Sequence, residues 1–148
     1  MSNVANIIDE INEKFISEHW LDFEIVSLVN GILKIKASID FYYYHNMEIT
    51  LIDVVYFQGV MEWRTSPNKR KLIEILSYTE MVEQSDVYKF SGGRYGFSFD
   101  NDDGCKNIFV ANEIIVNYDT VYYYLRSDLL ENERIDVDIL RGSVEKDV

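Results

Sequence analysis

The stretch IDFYYYHNMEITLIDVVYFQGVMEW, from Ile39 to Trp63, is dominated by β-branched and aromatic residues. Such residues favour strands, because they fit the pleated, half-buried surface of a sheet. The stretch predicts two adjacent strands joined at Asn46. It is too aromatic to lie open to water, so we expect the rest of the chain to cover it.

The chain just before this stretch predicts a β-hairpin. Phe23 to Val29 and Ile32 to about Tyr44 are strand-like runs separated by Asn30-Gly31, a dipeptide that tolerates the positive φ angles of a type I′ turn. In the second run the apolar residues alternate with polar ones, which predicts one buried and one wet face. The apolar set is Leu33, Ile35, Ala37 and Ile39.

The N-terminal segment predicts an amphipathic helix. Ser2 or Asn3 is a suitable N-cap, and the apolar stripe consists of Ile7, Ile8, Ile11 and Phe15. We expect this helix to run to about His19. Because an isolated helix of this length is marginal in water, its stripe should lie on a sheet.

Residues 68–84 allow two interpretations. In the first, Ser66 caps a single helix that continues past Leu76. In the second, Leu72 to Leu76 form a strand, and Ser77-Tyr78-Thr79-Glu80 is a capping box that opens a short helix ending near Gln84. The second is favoured, because the cations of Lys69–Lys71 would be unfavourable at a helix N-terminus.

The remaining sequence predicts further strands. They cover Val87–Phe90, Tyr95–Phe99, Ile108–Ala111, Ile114–Tyr118 and Val121–Leu125, and an edge strand follows Ser127 through Ile135, Val137 and Ile139. The predicted fold class is therefore α+β. We expect an N-terminal helix on a twisted antiparallel sheet of about six to eight strands, a short second helix after Ser77, and one domain over residues 1–148.

Composition restricts the partners. The chain has 26 acidic and 14 basic residues and a formal charge of −12, which should repel nucleic acid and anionic membranes and attract a basic protein. The alternative is that the acidity only keeps the protein in solution. The N-terminus lacks a signal-peptide pattern and Cys105 is the only cysteine, so we expect a cytoplasmic protein without membrane association.

No motif predicts catalysis, a cofactor or a metal site. His19 and His45 are the only histidines and lack ligand spacing, which favours structural roles. The acidic loop Asp100–Gly104 fails the EF-hand pattern, because Val110 stands where the bidentate glutamate belongs. We therefore predict no catalytic residue, no cofactor and no metal.

Two tyrosine runs are the candidate binding residues. In a strand the middle ring of three points opposite to its neighbours, so neither run fits into one core. Tyrosine is also enriched in protein interfaces. The predicted partner-binding residues are Tyr42, Tyr43, Tyr44, Tyr122, Tyr123 and Tyr124. The alternative is that helices or loops cover both faces of these strands.

In its size, its acidity, its helix-plus-sheet order and its FYYYHN and VYYYLR segments, the chain resembles the small acidic immunity proteins of bacterial polymorphic toxin systems. The resemblance implies a cytosolic protein that binds and blocks a cognate toxin domain, often a nuclease, and needs no cofactor. One alternative is a small-molecule-binding domain or enzyme whose pocket is walled by Tyr42, Tyr44 or Trp63. Another is a homodimer joined through an edge strand.

Overall fold

The computed structural model of the chain describes residues 3–77, 79–80 and 93–146. The helices are α1 (Asn3–Phe15) and α2 (Val137–Lys146). The strands are β1 (Leu21–Val29), β2 (Ile32–Ser38), β3 (Tyr44–His45), β4 (Met47–Ile52), β5 (Tyr56–Gln58), β6 (Glu62–Thr65), β7 (Ile73–Leu76), β8 (Tyr95–Phe99), β9 (Asn107–Ala111), β10 (Glu113–Asn117), β11 (Thr120–Tyr122) and β12 (Glu133–Ile135). The α+β class is confirmed, with more strands than predicted.

The strands of the described residues form three sheets, whereas a single sheet is predicted. The main sheet has the order β10-β4-β2-β1-β6, the second sheet β5-β9-β8-β7, and the small sheet β12-β11-β3. All strand pairs are antiparallel except β11 with β12, which is parallel.

An aromatic core joins the main sheet to the second sheet. The rings of Phe23 and Trp63 stack with their centroids 5.1 Å apart. Phe99 of the second sheet meets both rings edge-on at 5.6 Å, and Phe109 packs 5.4 Å from Phe99. All four side chains are buried, so this cluster forms the contact between the two sheets.

Helix α1 closes one side of this core, where it contacts the edge strands β7 and β10. Its stripe buries Ile8, Ile11 and Phe15, as predicted. Asn12 is also buried: its side-chain oxygen accepts hydrogen bonds from the amides of Leu72 and Ile73 at 2.9 and 3.1 Å, and its nitrogen donates to the Ile73 carbonyl at 2.8 Å. The helix ends at Phe15 rather than near His19, because β1 begins only six residues later at Leu21.

The region from Ile39 to Trp63 supplies strands to all three sheets instead of forming two strands of one sheet. Strand β2 was predicted to reach Tyr44 but ends at Ser38. The Ser38 hydroxyl donates to the Tyr44 carbonyl at 2.7 Å and accepts a hydrogen bond from the Asp40 amide at 2.9 Å. These local side-chain hydrogen bonds replace the backbone hydrogen bonds that would continue the strand. The main sheet has a bulge between Ile25 and Ser27 of β1.

The favoured interpretation of residues 68–84 is confirmed where the structure describes it. Residues Ile73–Leu76 form β7. The capping box is present, since the Ser77 amide donates to Glu80 Oε1 at 3.0 Å and the Glu80 amide donates to Ser77 Oγ at 3.2 Å. The end of the predicted helix near Gln84 and the predicted strand Val87–Phe90 lie outside the described residues.

The C-terminal segment corrects two predictions. Strand β11 ends at Tyr122 instead of Leu125. The predicted edge strand ends at Ile135, because Asp136 Oδ1 accepts the Asp138 amide at 3.0 Å and so starts α2 over Val137–Lys146.

The hairpin turn is confirmed and provides a stability test. Asn30 and Gly31 have φ angles of 53° and 76°, as a type I′ turn requires. A Cβ added at Gly31 would have ordinary contacts of 3.7 Å, so the positive φ angle is the main cost of adding a side chain there. We expect Gly31→Val to lower the free energy of unfolding by about 1–2 kcal/mol. Urea denaturation measures this change, and an unaltered midpoint would contradict the turn assignment.

Candidate functional site

Pairing of β3 with β11 brings the two tyrosine runs together. Tyr44 pairs with Tyr122 and His45 with Val121. Beyond the strand ends, the Tyr123 amide donates to the Tyr43 carbonyl at 2.8 Å. Residues about eighty positions apart in the chain therefore share one edge of the small sheet.

Five of the predicted tyrosines form a continuous surface, which we call the tyrosine surface: Tyr42, Tyr43, Tyr44, Tyr122 and Tyr124. The ring centroids lie 4.7 Å apart for Tyr42 and Tyr43, 6.2 Å for Tyr43 and Tyr124, 5.5 Å for Tyr124 and Tyr122, and 6.2 Å for Tyr122 and Tyr44. All four contacts are edge-to-face, the favourable arrangement for aromatic rings. Three rings are strongly exposed, with accessible fractions of 81% for Tyr42, 51% for Tyr43 and 41% for Tyr124.

Arg126 belongs to this surface, although the sequence analysis missed it. Its guanidinium lies 4.2 Å from the centroid of the Tyr122 ring, and its Nη1 donates to the Tyr124 hydroxyl at 3.1 Å. Asp128 binds the same guanidinium through both carboxylate oxygens at 3.1 and 3.2 Å, which lowers the pKa of Asp128. In the sequence, only the position of Arg126 two residues after the tyrosine run indicates that it belongs to this surface.

Carboxylates lie beside the tyrosine surface. The Tyr122 hydroxyl donates to Glu133 Oε2 at 2.8 Å, and this bond raises the pKa of Tyr122. Burial raises the pKa of Tyr44, and the nearby carboxylates of Asp40 and Glu18 raise it further. Negative charge and exposed aromatic rings therefore meet at both the β3 and the β12 side of the small sheet.

Tyr123 points away from the tyrosine surface. Its hydroxyl lies 2.5 Å from His45 Nδ1, and burial followed by the charges of Asp136, Glu24 and Glu48 raises its pKa. The prediction that the middle ring of three points opposite to its neighbours is therefore correct for Tyr123. It is wrong for Tyr43, which contacts both Tyr42 and Tyr124 because residues 41–43 form a turn instead of a strand.

Behind the tyrosine surface, a polar network connects the small sheet to the main sheet. His45 is 1% exposed, and its Nε2 lies 3.0 Å from Glu48 Oε2 of β4. Because an ionised carboxylate only accepts, Nε2 carries the proton and Nδ1 accepts from the Tyr123 hydroxyl. Arg134 Nη2 of β12 donates to Glu48 Oε1 at 2.6 Å and Arg134 Nε approaches Asp119 at 3.6 Å. These hydrogen bonds and ion pairs hold the small sheet, and with it the tyrosine surface, against the main sheet.

An acidic groove on the main sheet continues from Phe41, the residue before Tyr42. It has a cavity volume of about 400 Å³ and is lined by Asp22, Phe23, Glu24, Phe41, Glu62 and Trp63. Glu24 and Glu62 are direct partners across β1 and β6, both are exposed, and neither forms an ion pair with a described residue. Like charges at this spacing repel each other, so this groove favours a cationic group.

Of the three walls named for the pocket alternative, Trp63 lines the acidic groove, whereas Tyr42 and Tyr44 do not. Trp63 is 5% exposed and stacked in the core, whereas Tyr42 is the most exposed of the six tyrosines. Within the described residues, no three His, Cys, Asp or Glu side chains form a set that could hold a metal ion, and no helix is long and apolar enough to cross a bilayer.

The network predicts a specific pH dependence. The hydrogen bond to His45 lowers the pKa of Glu48 below its ordinary 4.5, with Arg134 adding to the effect. A carboxylate with a lowered pKa stabilises the fold above pH 4.5, and this contribution is lost as the pH falls through the folded-state pKa. Glu48→Gln should therefore cost about 1–2 kcal/mol at neutral pH and less in acid.

Urea denaturation of both proteins at neutral pH and near pH 3.5 measures this difference. Glu113→Gln, at an exposed carboxylate of β10, is the matched control and should have little effect at either pH. An equal loss of stability for Glu48→Gln at both pH values would contradict the assignment.

Comparison of the chain with protein-family models, with curated proteins and with solved structures finds no match. The function is therefore inferred from the geometry of the tyrosine surface and its surroundings.

Proposed function

We propose that the protein is a protein-binding inhibitor of the immunity-protein kind, acting in the cytoplasm. It neutralises a cognate toxin domain by covering the basic surface of that domain with the tyrosine surface and the neighbouring carboxylates. The observation that carries the proposal is the pairing of β3 with β11, which assembles five tyrosines from two distant segments and leaves three of them strongly exposed.

The exposed rings are suited to supply the affinity. Tyrosine and arginine are enriched among the few residues that carry most of the binding energy of an interface. Tyr43 is already held between Tyr42 and Tyr124, and Arg126 holds Tyr122 and Tyr124. Because these contacts restrict the side chains before binding, less conformational entropy is lost when a partner docks.

The charge is suited to select a basic partner. Glu18, Asp40 and Glu133 lie near the rings. Glu24 and Glu62 line the adjoining groove without an ion pair to a described residue, although Lys36 lies opposite Glu24 on β2. Complementary charge accelerates encounter and excludes acidic partners. Arg126 does not oppose this selection, since Asp128 binds its guanidinium through two hydrogen bonds.

Identification of the partner is the first experiment. Tagged protein is purified from its native host, and co-purifying proteins are identified by mass spectrometry. We expect one stoichiometric basic protein. A retained metabolite would instead favour the small-molecule alternative, and a dimer of the chain alone would favour the edge-strand alternative.

The tyrosine surface is then tested by truncation. Tyr42→Ala, Tyr43→Ala and Tyr124→Ala should leave the fold intact, because the rings are exposed. Each should weaken partner binding by about 2 kcal/mol or more if the ring is an anchor, roughly 30-fold in Kd. Titration calorimetry measures the affinity and circular dichroism checks the fold.

Val29→Ala is the matched control, because this side chain is 62% exposed at the hairpin end of β1. It should bind the partner normally. Unchanged affinity in all three tyrosine variants would exclude the tyrosine surface as the interface.

The acidic groove predicts an effect on association rate. Glu24→Gln and Glu62→Gln should slow association a few-fold at low salt, and the effect should nearly vanish near 0.5 M salt because the charges are screened. Stopped-flow or surface-plasmon measurements give the rate constants. Glu13→Gln, at an exposed position of α1, should have a smaller effect; equal effects in all three variants would show that only the net charge matters.

A further inference from the structure

A second polar cavity lies on the second sheet, away from the small sheet that carries the tyrosines. It has a volume of about 180 Å³ and is lined by Arg70, Lys71, Glu74, Ser98, Asp100 and Lys106. We call it the basic pocket, because three cations and two carboxylates surround it. Such an excess of positive charge is unexpected in a chain with a formal charge of −12.

The cations are available for a ligand. Lys71 and Lys106 form no ion pair with any described residue, and Arg70 approaches Asp100 at 3.8 Å while its guanidinium remains largely exposed. Of the two carboxylates, Asp100 is therefore partly neutralised by Arg70. Glu74 is exposed on the neighbouring strand.

Ser98 adds a neutral hydrogen-bonding side chain to the lining of the basic pocket. It lies on β8 between Glu74 of β7 and Ile108 of β9, and it is only 3% exposed. Its hydroxyl is not among the buried polar atoms of the described residues that lack a partner, so it is reachable from the cavity that Ser98 lines. A hydroxyl in this position, at the wall of a cavity, is suited to donate to a bound acceptor.

The loop that carries Arg70 and Lys71 is fixed before any ligand binds. The Lys69 amide donates to the Ile16 carbonyl at 2.8 Å, and Arg70 Nη2 donates to the Ser66 carbonyl at 3.1 Å. Asp102 accepts from both the amide and the hydroxyl of Ser66 at 2.8 and 2.6 Å. The cations are therefore held at one edge of the pocket, which reduces the entropy lost on binding.

We propose that the basic pocket binds a tetrahedral oxyanion of the phosphate class, either inorganic phosphate or the phosphate of a monoester. Arg70, Lys71 and Lys106 neutralise its charge, and the Ser98 hydroxyl donates to one oxygen. At neutral pH phosphate is partly protonated, so its own hydroxyl donates to Glu74 or Asp100. The volume is several times the share of one water in the liquid, about 30 Å³, and so accommodates such an anion.

The test is a titration followed by ¹H–¹⁵N correlation spectra at constant ionic strength and neutral pH, with chloride replaced by inorganic phosphate. We expect saturable shifts of the Ser98 and Lys106 amides with a Kd on the order of 1 mM, the low end of specific affinities. Ser98→Ala and Lys106→Gln should each weaken binding at least tenfold. Lys34→Gln, on the main sheet, is the matched control and should bind phosphate as the unaltered protein does.

The source of the phosphate is distinguished in a parallel titration with O-phosphoserine and with serine. Tighter binding of O-phosphoserine than of inorganic phosphate would assign the pocket to a phosphate monoester, and the reverse order to free phosphate. The spectra also show whether each variant is folded, and Lys71→Gln replaces any variant that is not. Absence of saturable shifts up to about 50 mM, or equal weakening in Lys34→Gln, would overturn the proposal.

Discussion

The aromatic packing between the main sheet and the second sheet is the constraint on which the other features depend. Phe23, Trp63, Phe99 and Phe109 occupy the inner faces of four strands and are buried. Aromatic side chains bury large areas, so this cluster is a major part of the hydrophobic core that stabilises the fold. Once it has formed, binding is left to the outer faces and ends of the sheets and to the acidic groove beside Phe23 and Trp63.

The tyrosines lie on the small sheet, outside this aromatic cluster. The small sheet has three strands among the described residues, and a sheet of this size without a packing partner is barely stable in water. Its support includes His45, which is held between Tyr123 of the small sheet and Glu48 of the main sheet, and the ion pair between Arg134 and Glu48. The role of the six tyrosines is therefore divided. Tyr123 connects the small sheet to the main sheet through His45, and the other five rings form the tyrosine surface.

The distribution of charge separates two regions of the molecule. Acidic residues adjoin the tyrosine surface and line the groove at Glu24 and Glu62. The cations Arg70, Lys71 and Lys106 gather at the second sheet. At physiological salt the electric field of exposed charges decays within about 8 Å, so each region attracts ligands according to its own charge instead of the net charge of the chain.

Local sequence patterns determined the features that depend on neighbouring residues: the stripe of α1, the turn at Asn30-Gly31, the alternation along β2 and the capping box at Ser77. Each follows from a short repeat or from one side chain acting on adjacent backbone. Only the tertiary structure decided that β3 pairs with β11, that Arg126 joins the tyrosines, and that Ser98 lies beside Lys106. The physical reason is that these contacts connect distant segments, and their choice depends on how the whole core packs instead of on any local period.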